Sequence, residues 1–320
     1  MKAIVVHEFG GPDVLKYEDT AVPEIPDGHV LVKVKASGVN PADTYARTGN
    51  YIMKPVLPYT PGTDGAGVIE KTGKGVSKYR EGDRVYIGRS VSGTYAEYAL
   101  AMENQVHCLP DNVTFSQGAG VFVPYGTAFH ALSHAAMARK GEAVLIHGAS
   151  GGVGTAAVQI AVSMGLKVFG TAGTQKGLEL VKAQGAEKVF DHSREGYLEE
   201  IVKSTGGAGV DIILEMLANI NLGHDLKILA MKGRVVVIGS RGDTVVTPRD
   251  LMGKRGTVTG IMLWNITREE AGEIHDYLYK GLLEGFLKPV VRAELPLKDA
   301  DRAHIEVMSP GAMGKIVLIP

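Results

Sequence analysis

The chain has 320 residues, 45% hydrophobic and 22% charged, enough to bury a large core and to divide into two domains. Its 34 basic and 35 acidic residues leave a formal net charge of -1, so no overall field draws it to nucleic acid or to an anionic membrane. No apolar run reaches the roughly 20 residues that span a bilayer, and Met1 to Glu8 meets charge too early for a signal peptide, which predicts a soluble, cytoplasmic protein.

Residues 1–123 are rich in short β-type runs, Val30 to Ala36, Gly67 to Lys71 and Tyr95 to Leu100, separated by glycine and proline turns. This predicts a β-rich, partly barrel-like domain. The one cysteine, Cys108, excludes an intramolecular disulfide and any multi-cysteine zinc site, and its setting reads as a half-buried strand. From 124 to 264 the pattern alternates: helix 125–138, strand 143–147, helix 152–164, strand 167–171, helix 175–184, strand 187–190, helix 195–203, strand 210–214, helix 221–230, strand 233–238, strand 257–261. Such alternation predicts an α/β domain with a parallel sheet covered on both faces. The remainder holds a helix near 268–284, a β-type run at 289–291, a helix near 299–308 and a final strand at 314–319. That strand resembles the amino-terminal runs, so residues 265–320 are expected to complete the first domain.

The run from Ala143 to Ala161 passes from an apolar strand through a glycine-rich turn into a helix, and reads as a dinucleotide-binding turn rather than a purely structural one. Ser150, Gly151, Gly152 and Val153 would bring backbone amides to a pyrophosphate at the helix N-terminus. A strict G-x-G-x-x-G would place glycines at 149, 151 and 154, and position 149 is alanine, which is tolerated where positive φ is not required. NAD-type sites carry an acid about 20 residues further on, for the ribose 2′-OH. Here 170–177 has no acid and one lysine, Lys176, which favours NADPH; read in isolation, Lys176 is a solvated helix-start residue.

Several short segments together resemble the medium-chain dehydrogenase/reductase superfamily, and within it the zeta-crystallin-like NADPH:quinone oxidoreductases. They are Glu8 to Pro12; Gly38 to Pro41 with Asp43 and Tyr45; Leu57 to Gly62; Glu81 to Val85; Gly93 to Tyr98; His147 to Gly154; and Glu215 to Asn219. The resemblance implies a GroES-like β-rich catalytic domain, a doubly wound Rossmann domain of 124–264, an active site in the cleft between them, and a homodimer or homotetramer. Pairing of 253–263 across a two-fold axis would extend the sheet. Alanine at position 149 also fits this branch.

The superfamily's zinc enzymes place a cysteine near Asn40 and a His-Glu pair where this chain has Thr63 and Asp64, and they add a four-cysteine lobe. None of these ligand sets is present, so no metal is expected. Without a Lewis acid the acceptor must be electrophilic in its own right, as quinones and α,β-unsaturated carbonyls are. The resemblance further implies cofactor contacts from Gly173, Lys176 and His192 at the 2′-phosphate side, from Asn221, and from Ile238, Gly239, Ser240 and Arg241. It also implies contacts from Ile261, Met262 and Leu263 beside the nicotinamide. Arg194 and Arg241 fit a surface role as well, Asn219 a turn, and Lys315 is a weaker cofactor candidate.

Three residues are the catalytic candidates: Tyr45, whose phenol can donate to a substrate oxygen or contact the cofactor, Asn40, and Thr127, which can meet the nicotinamide or cap a helix. Asn40 and Asp43 can instead bond local backbone in an Asn-Pro turn, and this is the favoured reading of Asp43. The alternative functions are an NADPH-dependent enone or enoyl reductase and an RNA-binding or structural crystallin-type role. Near-neutral charge and the lack of an aromatic-rich RNA motif count against the last.

Overall fold

The computed structural model describes residues 1–320, which divide into two compact units. One comprises Met1–Val123, Leu278–Pro310 and Lys315–Pro320; the other comprises Pro124–Tyr277 and Gly311–Gly314. In chain order the first unit holds β1 (Lys2–Val6), β2 (Leu15–Asp19), β3 (His29–Val39), β4 (Asp64–Thr72), β5 (Arg84–Gly88), β6 (Tyr98–Met102) and β7 (Val106–Cys108). The second holds β8 (Ala143–Ile146), β9 (Lys167–Ala172), β10 (Lys188–Asp191), β11 (Val210–Glu215), β12 (Leu229–Val237) and β13 (Thr257–Gly260). The chain then supplies β14 (Val291–Pro296) and β15 (Lys315–Ile319) to the first unit.

In the first unit, β3 is the axis of a sheet ordered β14-β15-β3-β4-β5-β7, with β6 also paired to β3. Val30, Val32 and Val34 alternate along β3 and pack with Ile69, Val85, Ile87 and Ala99. The terminal strand β15 pairs antiparallel with Ser37, Gly38 and Val39 of β3, so the carboxyl terminus is held in the amino-terminal unit. The helix Pro41–Arg47 follows β3 at once. Proline suits that first helical position because its missing N–H would have had no intrahelical acceptor.

In the second unit all six strands are parallel, in the order β10-β9-β8-β11-β12-β13. The order reverses between β8 and β11, as in a doubly wound dinucleotide-binding sheet. The strands are near-continuous apolar runs because helices cover both faces; Leu145, Phe169, Phe190, Ile201, Ile213 and Val235 meet in one core.

The glycine turn depends on close approach. Gly148 takes φ +56, the left-handed region, and Gly151 N–H bonds back to Gly148 O at 3.0 Å before the helix Gly152–Ser163 begins. A Cβ at Gly154 would lie 2.3 Å from Gly148 O, so the helix can sit this close to the turn only with glycine there. Ala149 is fully buried, and its methyl occupies room left by Gly170 of β9, where a Cβ would come within 2.9 Å of it.

Several elements depart from the sequence expectation. Helix 221–230 instead begins at Ala218, because the Glu215 carboxylate accepts from Leu217 N and so starts the helix early. Strand 233–238 instead begins at Leu229; Lys232 at φ +63 makes an irregular step there that reads in sequence as a turn. The helical run expected at 125–138 lies at Phe122–Gly126, Thr127–Phe129 and His130–Ala135, its first and last parts wound as π-helix. A further helix, Pro248–Lys254, had no counterpart in the pattern, and Cys108 is exposed rather than half-buried.

The later boundary falls at 277/278, inside the helix Arg268–Glu284, rather than at 264/265. Its first half belongs to the second unit, where the Tyr277 ring packs tilted against Phe129 at 4.5 Å between centroids and Glu273 meets His134 at 2.9 Å. Its second half belongs to the first unit, where Asn112 Nδ2 donates to Leu282 O at 3.0 Å. Replacing Gly154 by alanine is expected to lower stability by about 1–3 kcal/mol in chemical denaturation, because the new methyl overlaps the turn. A neutral result would show that the helix can move away from the turn at no cost.

Candidate functional site

The second unit gathers its predicted residues along one edge of its sheet. Ser150, Gly151, Gly152 and Val153 follow β8; Gly173 and Lys176 follow β9; His192 follows β10; Asn221 follows β11; Ile238 to Arg241 follow β12; Ile261 to Leu263 follow β13. All therefore lie beyond strand carboxyl ends, where open α/β sheets bind ligands, and the reversal between β8 and β11 opens a crevice there.

The residues present suit a dinucleotide. Gly151, Gly152 and Val153 are partly exposed at the start of a 12-residue helix whose first amides have no intrahelical acceptor. Gly314 N donates to Ser150 O at 2.7 Å, so the returning segment Gly311–Gly314 stitches the turn, a contact that no sequence signal announced. Beyond β9, Thr174 caps the helix Gln175–Ala183 through Gly177 N at 3.1 Å, which leaves Lys176 exposed in its first turn. His192 sits against the bare Cα of Gly173, where a Cβ would come within 2.6 Å of its Nε2. Burial, then the nearby His147, lowers the His192 pKa and favours the neutral ring. Arg194 is instead paired with Asp191 at 3.4 Å.

Beyond β11 and β12 the loops are tied together. Asn219 Oδ1 accepts from Arg241 N at 2.9 Å, and Ala218 N donates to Gly239 O at 2.9 Å. Asn219 thus joins two loops rather than merely forming a turn, while the Arg241 side chain is exposed. Asn221 Nδ2 donates to Glu215 Oε1 at 3.2 Å. Ile261 N bonds Val237 O at 3.0 Å, and Leu263 is buried. Thr127 is buried inside a continuous helical run and caps no helix.

The first unit carries a buried polar network around the helix Pro41–Arg47. Asn40 is 4% exposed and its amide is committed: Oδ1 accepts from Lys315 Nζ and Nδ2 donates to Asp64 Oδ2 at 3.1 Å. The Asn40 amide is thus bound to partners distant in the chain. The Lys315 ammonium also meets Asp64 Oδ2 at 2.7 Å, and Asp64 Oδ1 accepts from Val123 N at 2.9 Å. Lys315 therefore supplies the cation that offsets the buried Asp64 carboxylate in this unit.

Asp43 accepts from Asn40 N at 2.8 Å, the local backbone role expected of it, and burial pushes its carboxyl up to about 7. Tyr95 OH reaches Asp43 Oδ2 at 3.4 Å and His304 Nε2 at 3.2 Å, and His304 Nδ1 faces Arg47 Nη1 at 3.2 Å. Burial, then the Arg47 charge, pushes His304 down to about 3, so it is a neutral acceptor for the guanidinium. Tyr45 stands apart from this network. It is half-buried, one turn into the same helix, and its hydroxyl makes no hydrogen bond.

The site where a zinc ligand set would begin does not fit a divalent cation. Asn40 and Asp64 are already bridged by an ammonium, and Thr63 supplies neither nitrogen nor carboxylate. Elsewhere, two groupings of His and acid side chains do approach ligand spacing: His130, His134 and Glu270, and the buried His147, Glu215 and Asp225. Sequence reasoning had assigned neither, although an acid ending the apolar run Val210–Glu215 was a usable signal for the second. Replacing Lys315 by methionine leaves Asp64 buried without its cation and is expected to lower stability by about 3 kcal/mol in denaturant titration. A loss below about 1 kcal/mol would mean that the remaining donors suffice for Asp64.

Residues 26–111 match the alcohol dehydrogenase GroES-like domain, and residues 152–278 match the zinc-binding dehydrogenase family. The quinone oxidoreductase of Rattus norvegicus is 50% identical over 321 residues, covering 100% of this chain and 98% of its own. The solved Escherichia coli quinone oxidoreductase complexed with NADPH is 32% identical, with a TM-score of 0.90 over 100% of both chains. A solved NAD-dependent alcohol dehydrogenase is 28% identical with a TM-score of 0.93, again over 100% of both, so the backbone alone does not select the cofactor. The chain belongs to the quinone oxidoreductase family of the medium-chain dehydrogenase/reductase superfamily.

Proposed function

We propose that this protein is a zinc-independent, NADPH-dependent quinone reductase. The observation that carries the reading is the buried Lys315 ammonium between Asn40 and Asp64, which fills with a fixed organic cation the place where a metal would be needed to activate an ordinary carbonyl. Full-length similarity to quinone oxidoreductases and to a quinone oxidoreductase solved with NADPH supports the same reading.

The residues divide the work by their chemistry. The amides at the start of the helix Gly152–Ser163 suit a pyrophosphate, and its dipole favours that anion. Lys176 suits the 2′-phosphate, with His192 as a neutral hydrogen-bonding partner, and no acid stands in 170–177 to repel it. NADPH, when bound, supplies the hydride. Tyr45 is free to donate a hydrogen bond to the acceptor oxygen on which negative charge collects, and its ring offers an apolar wall to a planar quinone. Solvent can complete protonation of the reduced product, so no chain residue is an indispensable acid.

We infer a homodimer or homotetramer in which β13 pairs with its copy. It is the edge strand of its sheet, and Thr257, Val258 and Gly260 are exposed along it. Native mass spectrometry is expected to show at least a dimer; a stable monomer refutes this part.

The function is tested by a matrix of NADPH and NADH against a quinone, an enone and a simple alcohol, each with and without a chelator. Chelator-insensitive oxidation of NADPH by the quinone is expected. Chelator-sensitive alcohol oxidation would overturn the proposal, and activity confined to the enone would replace quinone by enone as the substrate class. Lys176→Glu is expected to raise the NADPH Kd about tenfold, the equivalent of ~1.4 kcal/mol, with NADH binding little changed. Equal losses for both nucleotides would remove Lys176 from the phosphate site. Tyr45→Phe is expected to lower kcat by about tenfold without abolishing turnover.

A further inference from the structure

Three ionisable side chains are buried together where the strand order of the second unit's sheet reverses. His147 follows β8, Glu215 ends β11 and Asp225 lies on the helix Ala218–Ile228; they are 3%, 0% and 0% exposed. His147 Nε2 stands 2.8 Å from Asp225 Oδ1 and 3.6 Å from Glu215 Oε2. Glu215 Oε1 accepts from Leu217 N and from Asn221 Nδ2. That accounts for one oxygen of each acid and leaves Glu215 Oε2 and Asp225 Oδ2 buried without a partner. One ligand-type atom from each of the three residues lies within 4.8 Å of the other two. Two bare carboxylates so placed would repel each other with both outer oxygens desolvated. A single proton between them supplies the missing donor and satisfies both.

We propose that Glu215 and Asp225 share one proton, and that this pair positions both walls of the dinucleotide crevice. One wall is reached through His147, which donates to Asp225 and immediately precedes Gly148 of the glycine turn. The other is reached through Glu215 itself, which holds the first turn of the helix Ala218–Ile228, where the Leu217 side chain provides no cap. That turn carries Asn219, the anchor of the loop at Arg241, and Ala218, bonded to Gly239 O. Glu215 and Asp225 are thus positioning residues, and the inference rests on reading this edge as a dinucleotide site.

The electrostatics agree with the geometry. Burial raises both carboxyls, which favours a proton held between them. Burial lowers His147, so it stays a neutral donor. The other titratable groups that bear on the cluster are Tyr197, whose phenol is raised first by burial and then by both acids, and His192, which acts on His147. Because the folded state holds a proton that the unfolded chain would release in the ordinary carboxylate range, stability falls as pH rises above that range, and the pair is broken once pH passes its raised value.

The test is equilibrium binding of NADPH and NADH at about pH 7 and about pH 9, by nucleotide fluorescence, with the intact protein and with Glu215→Gln, whose amide can donate to Asp225 at any pH. The wild type is expected to lose about tenfold in affinity for both nucleotides on alkalinisation, and Glu215→Gln less than about twofold. A wild type without pH dependence, or a variant that follows the wild-type curve, overturns the proposal. So does a loss confined to NADPH, which would belong to the 2′-phosphate. Infrared titration provides a second measurement that does not depend on Glu215→Gln. In an Asp43→Asn background, which removes the other raised carboxyl, a protonated-carboxyl C=O band is expected at about pH 7 and is expected to vanish by about pH 9. Its absence at about pH 7 overturns the acid pair. Failure of either nucleotide to bind at neutral pH removes the cofactor reading instead, while the infrared band still decides whether the acid pair holds a proton.

Discussion

The contact on which the nucleotide unit depends is the close approach of the helix Gly152–Ser163 to the turn that precedes it. The turn's carbonyl, Gly148 O, occupies the space that a side chain at 154 would need. Because the helix begins so near the end of β8, its unpaired amides and its dipole point into the crevice at the sheet's reversal, where an anion gains most from them. The same tight geometry explains Ala149. Positive φ falls on Gly148, not on 149, and the extra methyl is received by Gly170 on the neighbouring strand. The departure from a strict glycine fingerprint is therefore compensated one strand away.

Each unit also buries charge, and the two solve that problem differently. In the first, Lys315 neutralises Asp64 and the Asn40 amide bridges both, so every strong donor and acceptor of the group has a partner. Ionic groups buried this way are stable only while the set is complete. In the second, His147, Glu215 and Asp225 have no cation among them, and two oxygens are left over. Sharing a proton is the economical solution for two adjacent acids in a dry site. The second arrangement makes the crevice responsive to pH.

The sheet and its helices were legible because apolar periodicity is a local property. The strand Lys167–Ala172 and the helices Gly152–Ser163 and Arg268–Glu284 lie within a residue or so of their expected bounds. Errors arose where a side chain distant in space intervened. The helix at Ala218 starts early because the Glu215 carboxylate caps it, and β12 starts early because it can pair with Val210 across an irregular step at Lys232. The partners of Asn40 escaped the sequence for the same reason: its amide is bound by a lysine 275 positions away, and no local pattern carries that information.

The order of strands and glycines, the lack of a cysteine-rich metal lobe and the lack of an acid after the glycine turn were all determined by sequence, since each is a matter of which residues stand at short spacings. Only the tertiary structure decided which polar groups remain available. It committed Asn40, Asp64 and Lys315 to one another, left the Tyr45 hydroxyl unbonded, and buried His147, Glu215 and Asp225 together under the crevice. The physical reason is that hydrogen bonding and desolvation depend on neighbours in space. In this fold those neighbours come from strand ends and from a terminal segment far away in the chain.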